Sequence, residues 1–199
     1  TSISGTEGDF TVTLENGETF KTKTILIGTG SSRRKLDIKG ADVFENKGIT
    51  YCASCDGPLF SGMDVVVIGG NAGFESASQL LAYCKSVTLL SRSEPRADAI
   101  TIEKLKTNSH FNLVIGATPK EISGTTFVDA ITYTDKDGKD IALPTGGIFV
   151  EIGQIPATEF IKDFVDLDKI GKIIINPRTQ ETSVKGIWAA GDCTDILYH

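Results

Sequence analysis

The stretch Val65-Val66-Val67-Ile68-Gly69-Gly70-Asn71-Ala72-Gly73-Phe74 decides the fold. Four successive β-branched residues without polar alternation read as a strand buried on both faces, the composition of a parallel sheet. Glycines follow at once. Phe74, Ala77, Leu80, Leu81 and Cys84 then recur at helical spacing. Ser86-Val87-Thr88-Leu89-Leu90 supplies a second strand, which completes a βαβ unit. A helix near Ala99–Thr107 and a strand near Phe111–Ile115 extend the same alternation.

Beyond this core the character changes. Glu121–Ser123, Phe127–Thr134 and Asp140–Leu143 read as short strands. The last two are joined by the turn Asp135-Lys136-Asp137-Gly138, so the set reads as a β-meander. Gly147–Gly153 is another buried strand. On the N-terminal side, Phe10–Leu14 alternates, Asn16-Gly17 forms a turn pair, and Phe20 to Ile27 returns as the second arm of a hairpin. That arm runs into Gly28-Thr29-Gly30. Residues 31–50 look irregular and polar. Near the end, Gly171–Ile175 and Gly186–Ala190 bracket a polar stretch containing Pro177.

The 199 residues are 40% hydrophobic and 23% charged, enough for one large domain or two small ones with a true core. Disorder is disfavoured by the recurring apolar runs, and no run approaches the ~20 residues of a membrane span. The net charge of −6 does not describe a general nucleic-acid surface. Four cysteines are too few for a disulfide scaffold. The single Met is Met63 and the chain opens at Thr1, so the expectation is a central portion of a longer protein.

Three clusters carry chemistry. After a strand and before a helix, close glycines let backbone N–H groups approach a pyrophosphate at the helix N-terminus. Gly69, Gly70, Asn71, Ala72 and Gly73 are the candidates, although Ile68 occupies the first glycine position of G-x-G-x-x-G. A tight strand–helix turn would also need glycine. An NAD site usually places an acid at the end of the second strand. Here Ser91 stands there, with Arg92 and Arg96 able to hold a 2′-phosphate, unless they form an ordinary solvated loop. Charge-assisted contacts of roughly 1.5–3 kcal/mol each would favour NADPH over NADH by ~100-fold or more. The second cluster is Cys52-Ala53-Ser54-Cys55-Asp56-Gly57. A C-x-x-C closes a disulfide or contributes to a metal site. Cys84, Cys193, His110 and His199 stand alone in the sequence, which disfavours structural zinc. Asp56 can exchange the proton that thiol chemistry requires. Cys84 falls on the apolar helix face, as a small core residue would. The third cluster is Ile187-Trp188-Ala189-Ala190-Gly191-Asp192-Cys193, by itself only a strand running into a turn.

Taken in order, these motifs resemble the low-molecular-weight thioredoxin reductase family and the related flavoprotein that reduces alkyl hydroperoxide reductase, both pyridine nucleotide-disulfide oxidoreductases. Ile25–Gly30 resembles the family's A-T-G strand, Cys52–Gly57 its redox C-A-T-C-D-G, and Ile187–Asp192 its second FAD motif. The glycine and arginine loops are each one residue shorter than the family pattern. The resemblance implies an α/β protein. A Rossmann-like, three-layer NADP(H)-binding domain with a meander would span 57–147, with Cys52–Cys55 just before it. Segments 1–56 and 148–199 would pack together as a partial, discontinuous FAD-binding domain.

It further implies a relay from NADPH through FAD to the Cys52–Cys55 disulfide and on to a partner such as thioredoxin or a peroxiredoxin-system protein. Cys55 would lie nearer the flavin, with Asp56 as acid. Thr29, Gly30, Gly153, Gly191 and Asp192 join the glycine loop, Ser91, Arg92 and Arg96 as candidate cofactor residues. The parent is expected to be a cytoplasmic homodimer without membrane or nucleic-acid partners. FAD would not be retained by a chain lacking the adenosine half of its site. The alternative is an isolated NADP(H)-binding module, inactive alone.

Overall fold

The computed structural model describes residues 1–94 and 99–196. In chain order the elements begin with strands β1 (Ser2–Thr6), β2 (Asp9–Thr13), β3 (Thr19–Thr22), β4 (Ile25–Ile27), β5 (Ser31–Arg33) and β6 (Ile49–Thr50). Helix α1 (Ala53–Asp56) and a 3₁₀ turn (Gly57–Phe60) precede β7 (Asp64–Gly69), α2 (Asn71–Leu80), β8 (Ser86–Ser91), α3 (Ala99–Lys106) and β9 (Phe111–Ile115). Then come β10 (Thr118–Gly124), β11 (Val128–Thr134), β12 (Asp140–Pro144), β13 (Gly147–Glu151), β14 (Gln154–Pro156) and β15 (Ile187–Ala189). The chain divides into two compact units, one made of 1–34 and 153–199, the other of 35–152.

The 35–152 unit is an α/β layer structure. Its five-stranded sheet has the order β6-β13-β7-β8-β9 and is parallel throughout. Side chains alternate across a strand, and each face of this sheet has its own cover. Val65, Val67, Leu89 and Phe149 pack with Phe74, Ala77 and Leu80 of α2 and Leu105 of α3. Val66, Ile68, Leu90, Ile148 and Val150 pack on Ile122, Ile131 and Tyr133. The latter belong to the antiparallel meander β10-β11-β12. Fully burying such an aliphatic side chain stabilises the fold by about 1.5–3 kcal/mol, so β7 is fixed by its two-sided cover. The α/β expectation, with its parallel sheet and meander, is what the chain adopts.

One sequence expectation changes. Residues 20–27 do not form one hairpin arm. The Thr22 hydroxyl donates to the Thr24 carbonyl at 2.8 Å, and the strand breaks there. β3 completes the sheet β1-β2-β3, whereas β4 pairs in parallel with β15. That pairing buries Ile27, Ile187 and Ala189 in the core of their unit, with Phe10 and Ile173. In the larger unit, strands from before 56/57 and after 147/148 share one sheet. β13 lies between β6 and β7 in one sheet, while Ala41, Phe44 and Ile49 join the core on the meander side. The compact divisions are at 34/35 and 152/153.

Candidate redox and nucleotide sites

Cys52 and Cys55 form a disulfide with a Cα–Cα distance of 5.3 Å, inside the range that bridge geometry needs. Cys52 caps the single turn α1: the Cys55 N–H donates to its Sγ at 3.2 Å, and the Asp56 N–H donates to its carbonyl at 3.0 Å. Cys55 is exposed and Cys52 half-buried. The turn is anchored on its C-terminal side. Pro58 is the second residue of the 3₁₀ turn, and the Phe60 ring meets Phe149 of β13 edge-on at 5.1 Å. Gly147 makes room for that ring, since a Cβ there would lie 2.4 Å from it.

On the N-terminal side, Thr50 of β6 donates its hydroxyl to Oδ2 of Asp56. Tyr51 donates to Glu45 at 2.8 Å, and Lys35 pairs with the other Glu45 oxygen at 3.1 Å. Burial first, then the hydrogen bond and charge of Glu45, push the Tyr51 phenol up to about 12. Cys84 is buried in the α2 face core, where burial pushes its thiol up, and Cys193 is buried in the other unit.

The glycine run lies at the C-terminal edge of β7, where open α/β sheets bind their ligands. Its glycines do different jobs. A Cβ on Gly69 would lie 2.6 Å from the Glu151 carbonyl oxygen of the neighbouring strand, and one on Gly73 would lie 2.8 Å from Leu89 Cδ1. These two permit close strand–strand and helix–strand packing. Gly70 instead has open space where its side chain would be, and it caps α2 with no side-chain hydrogen bond to the helix. Asn71 and Ala72 form the first turn of α2. A phosphate fits there: the backbone is approachable and the helix N-terminus favours an anion. Ser91 is buried at the end of β8 and donates to the Ser93 carbonyl at 2.8 Å. Arg92 is exposed. Arg96 lies outside the described residues.

In the other unit, the parallel pairing of β4 with β15 brings Thr29 and Gly30 to the same sheet end as Gly191 and Asp192. Gly30, Gly153 and Gly191 all have positive φ and open space at the Cβ position. The Thr29 hydroxyl donates to the Ala157 carbonyl at 2.8 Å. Ser31 donates to Gln154 at 2.6 Å and to Asp192 Oδ2 at 3.2 Å. β14, which pairs with β5, brings Gln154 to Ser31. Gly30, Gly191 and the Asp192 carboxylate share this end, whereas Gly153 lies at the other end of the β5–β14 ladder, where its carbonyl accepts from the Arg34 N–H at 3.0 Å. Open glycine turns and a hydrogen-bonded carboxylate are compatible with the flavin role that the motifs imply.

Sequence reasoning missed two groups. Thr50 is a lone hydroxyl in a two-residue strand, and only its register relative to Asp56 could have singled it out. Glu151 ends the apolar strand β13 and accepts from Ser76 of α2 at 2.7 Å. Its signal was an acid within an otherwise apolar run.

A C-x-x-C disulfide on the turn that joins two strands of a doubly covered parallel sheet, with a glycine turn at the sheet's ligand edge, defines a class, the nucleotide-fold disulfide oxidoreductases. A family model described as pyridine nucleotide-disulphide oxidoreductase matches residues 1–199, and the chain belongs to that family. The family implies flavin and nicotinamide cofactors. The chain is 42% identical over 198 residues to the F component of the alkyl hydroperoxide reductase of Staphylococcus epidermidis, covering 98% of itself and 39% of that protein. It is 41% identical over 193 residues to a protein named NADH dehydrogenase from Bacillus subtilis, covering 96% of itself and 38% of that protein. It thus spans about two fifths of the length of these curated relatives. Among solved structures, thioredoxin reductase of Lactococcus lactis in its FR conformation matches with a TM-score of 0.84 at 31% identity, over 100% of this chain and 66% of that one. The thioredoxin reductase of T. acidophilum matches with a TM-score of 0.81 at 35% identity, over 97% and 64%. Among the described residues no helix is long and apolar enough to cross a membrane.

Proposed function

We propose that this chain carries the nicotinamide-binding and redox-disulfide part of an NADPH- and FAD-dependent reductase of protein disulfides, with thioredoxin or a peroxiredoxin-system protein as the partner. The observation that carries the reading is the Cys52–Cys55 disulfide, closed within the same compact unit as the glycine edge. When bound, the nicotinamide and flavin supply a hydride and an electron pair. The chain's own residues do the rest. Gly70, Asn71 and Ala72 present backbone to the pyrophosphate, while Gly69 and Gly73 keep that edge closely packed. Ser91, where an acid would otherwise stand, leaves the ribose 2′-phosphate to Arg92, assisted by Arg96. Thr29, Gly30, Gly153, Gly191 and Asp192 hold the flavin nucleotide, with residues 1–34 and 153–199 as its share of the FAD-binding domain.

Reduction of the disulfide yields two thiols. One thiolate attacks the partner's disulfide, the second resolves the mixed disulfide, and Asp56 exchanges the proton at Cys55. The test is NADPH oxidation coupled to protein-disulfide reduction with FAD present, in the protein that carries this chain. Cys52→Ser and Cys55→Ser should each abolish disulfide reduction and leave NADPH-to-FAD electron flow intact. Disulfide reduction that survives either change overturns the proposal. Retention of NADPH without coupled turnover favours the isolated binding module instead.

A further inference from the structure

We infer that Thr50 is the positioning residue for Asp56, and that its hydroxyl sets the carboxylate that serves the Cys52–Cys55 exchange. The inference rests on the proton-exchange role proposed for Asp56. Asp56 ends a single helical turn and its side chain can rotate, so adjacency to Cys55 alone does not aim it. Two constraints do. Its N–H is tied to the Cys52 carbonyl, and its Oδ2 accepts the Thr50 hydroxyl. Thr50 is itself held firmly: β6 pairs with β13 through Ile49↔Ile148 and Thr50↔Phe149. Phe149 is the residue on which Phe60 packs beyond the disulfide. The carboxylate is therefore referenced to the same strand that anchors both sides of the cysteine turn. A bond to a carboxylate is charge-assisted and stronger than a neutral one. Thr50 occupies one carboxylate oxygen, and the proton exchange proposed for Asp56 falls to the other.

The step in question balances without cofactors. An external dithiol such as dithiothreitol attacks one sulfur as thiolate, and the Cys52–Cys55 bond breaks with its electron pair on the leaving sulfur. With Cys55 as the leaving sulfur, it takes a proton relayed by Asp56. The second dithiothreitol thiol closes the ring and releases Cys52, so the reagent is oxidised and the protein disulfide reduced.

The experiment follows the reduction of Cys52–Cys55 by dithiothreitol in the 199-residue chain without flavin, by alkylation and mass spectrometry. It compares Thr50→Val, Thr50→Ser, Asp56→Asn and the double variant Thr50→Val/Asp56→Asn. Asp56→Asn should slow the step about tenfold or more, as expected for loss of a proton carrier. Thr50→Val, a near-isostere lacking the hydroxyl, should slow it by about 3- to 10-fold, and Thr50→Ser should restore it. In the Asp56→Asn background Thr50→Val should have no further effect, which a purely structural role for Thr50 would not produce. If Asp56→Asn leaves the rate unchanged, the Asp56 role fails and the inference with it. If Asp56→Asn slows the step but Thr50→Val does not, or the two losses multiply, the Asp56 role stands and the Thr50 inference is overturned. If Thr50→Val lowers the unfolding midpoint, Thr50→Ser decides: failure to restore the rate in a chain of normal stability refutes the inference.

Discussion

Gly69→Ala and Gly73→Ala place the same methyl at two points of one glycine run, with different expected outcomes. At Gly69 the methyl would lie 2.6 Å from the Glu151 carbonyl oxygen and 3.0 Å from Glu151 Cβ. That is about 0.8 Å short of an ordinary 3.4 Å contact. The obstacle is backbone, since Gly69 and Glu151 are partners in the last rung of the β7–β13 ladder. Relief requires the two strands to part at their C-terminal ends. Over-packing of this kind costs about 1–3 kcal/mol. At Gly73 the methyl meets Leu89 Cδ1 at 2.8 Å, the far end of a side chain that can turn. There the helix gains about 1 kcal/mol from replacing glycine by alanine, which offsets the repacking of Leu89. Gly69→Ala should therefore lose about 1–3 kcal/mol in urea unfolding followed by far-ultraviolet circular dichroism, and Gly73→Ala less than about 1 kcal/mol. Trp188, the sole tryptophan, belongs to the other unit. Its fluorescence is accordingly not the signal to use, and hydrogen exchange at β7 and β13 localises the effect. A Gly69→Ala chain as stable as the parent, with unchanged exchange at Glu151, would refute the reasoning.

Other outcomes follow from the same geometry. In the reduced chain at pH 8, iodoacetamide should modify Cys55 and Cys52 well before Cys84 and Cys193, which are buried and should react only on unfolding; early labelling of either would contradict their placement. Hydrogen bonds from Ser86, then Lys85, hold the Asp64 carboxyl below its ordinary range. A depressed carboxyl contributes stability above its unfolded value and loses it as pH falls through the folded one. The stability gap between the parent chain and Asp64→Asn should therefore be full at neutral pH and close on acidification below about 4, as thermal unfolding across that range would show. Arg92→Ala should weaken NADPH binding by about 10-fold or more and leave NADH almost unchanged; equal losses in calorimetry would remove Arg92 from the 2′-phosphate.

How far the sequence was legible follows from the range of the interactions. The β7–α2–β8 unit was readable because a run of β-branched residues, a glycine turn and a helical period are local signals. The meander was readable for the same reason, from Asp137-Gly138 and its flanking alternation. The β4–β15 pair was not, because its partners lie far apart in sequence and Ile25–Ile27 carries the same composition whether it extends a hairpin or joins another sheet. The compact divisions at 34/35 and 152/153 were not legible, because membership of 35–50 in the larger unit depends on a two-residue strand, Ile49–Thr50, and on a few apolar side chains in a polar stretch. The cysteine pair was readable from its spacing. Its hydroxyl neighbour was not, since Thr50 becomes meaningful only once β6 is placed beside β13.

That placement gives β13 a role beyond its length of five residues. Its first residue, Gly147, opens the space for Phe60, and its third, Phe149, receives that ring. Its last, Glu151, closes against Gly69 and accepts from Ser76 of α2. One strand thus touches the disulfide-bearing turn at one end and the glycine edge at the other. The rise of about 3.3 Å per residue then fixes the separation of the two sites along the strand. Packed strands cannot stretch to alter it. Because both sites reference one strand, a cavity at Phe149 should loosen the cysteine turn and the glycine edge together. On the proposed function, replacing the exposed Arg92 should reach nucleotide choice alone. The two kinds of change therefore separate the chain's positioning of its redox pair from the nucleotide preference proposed for it.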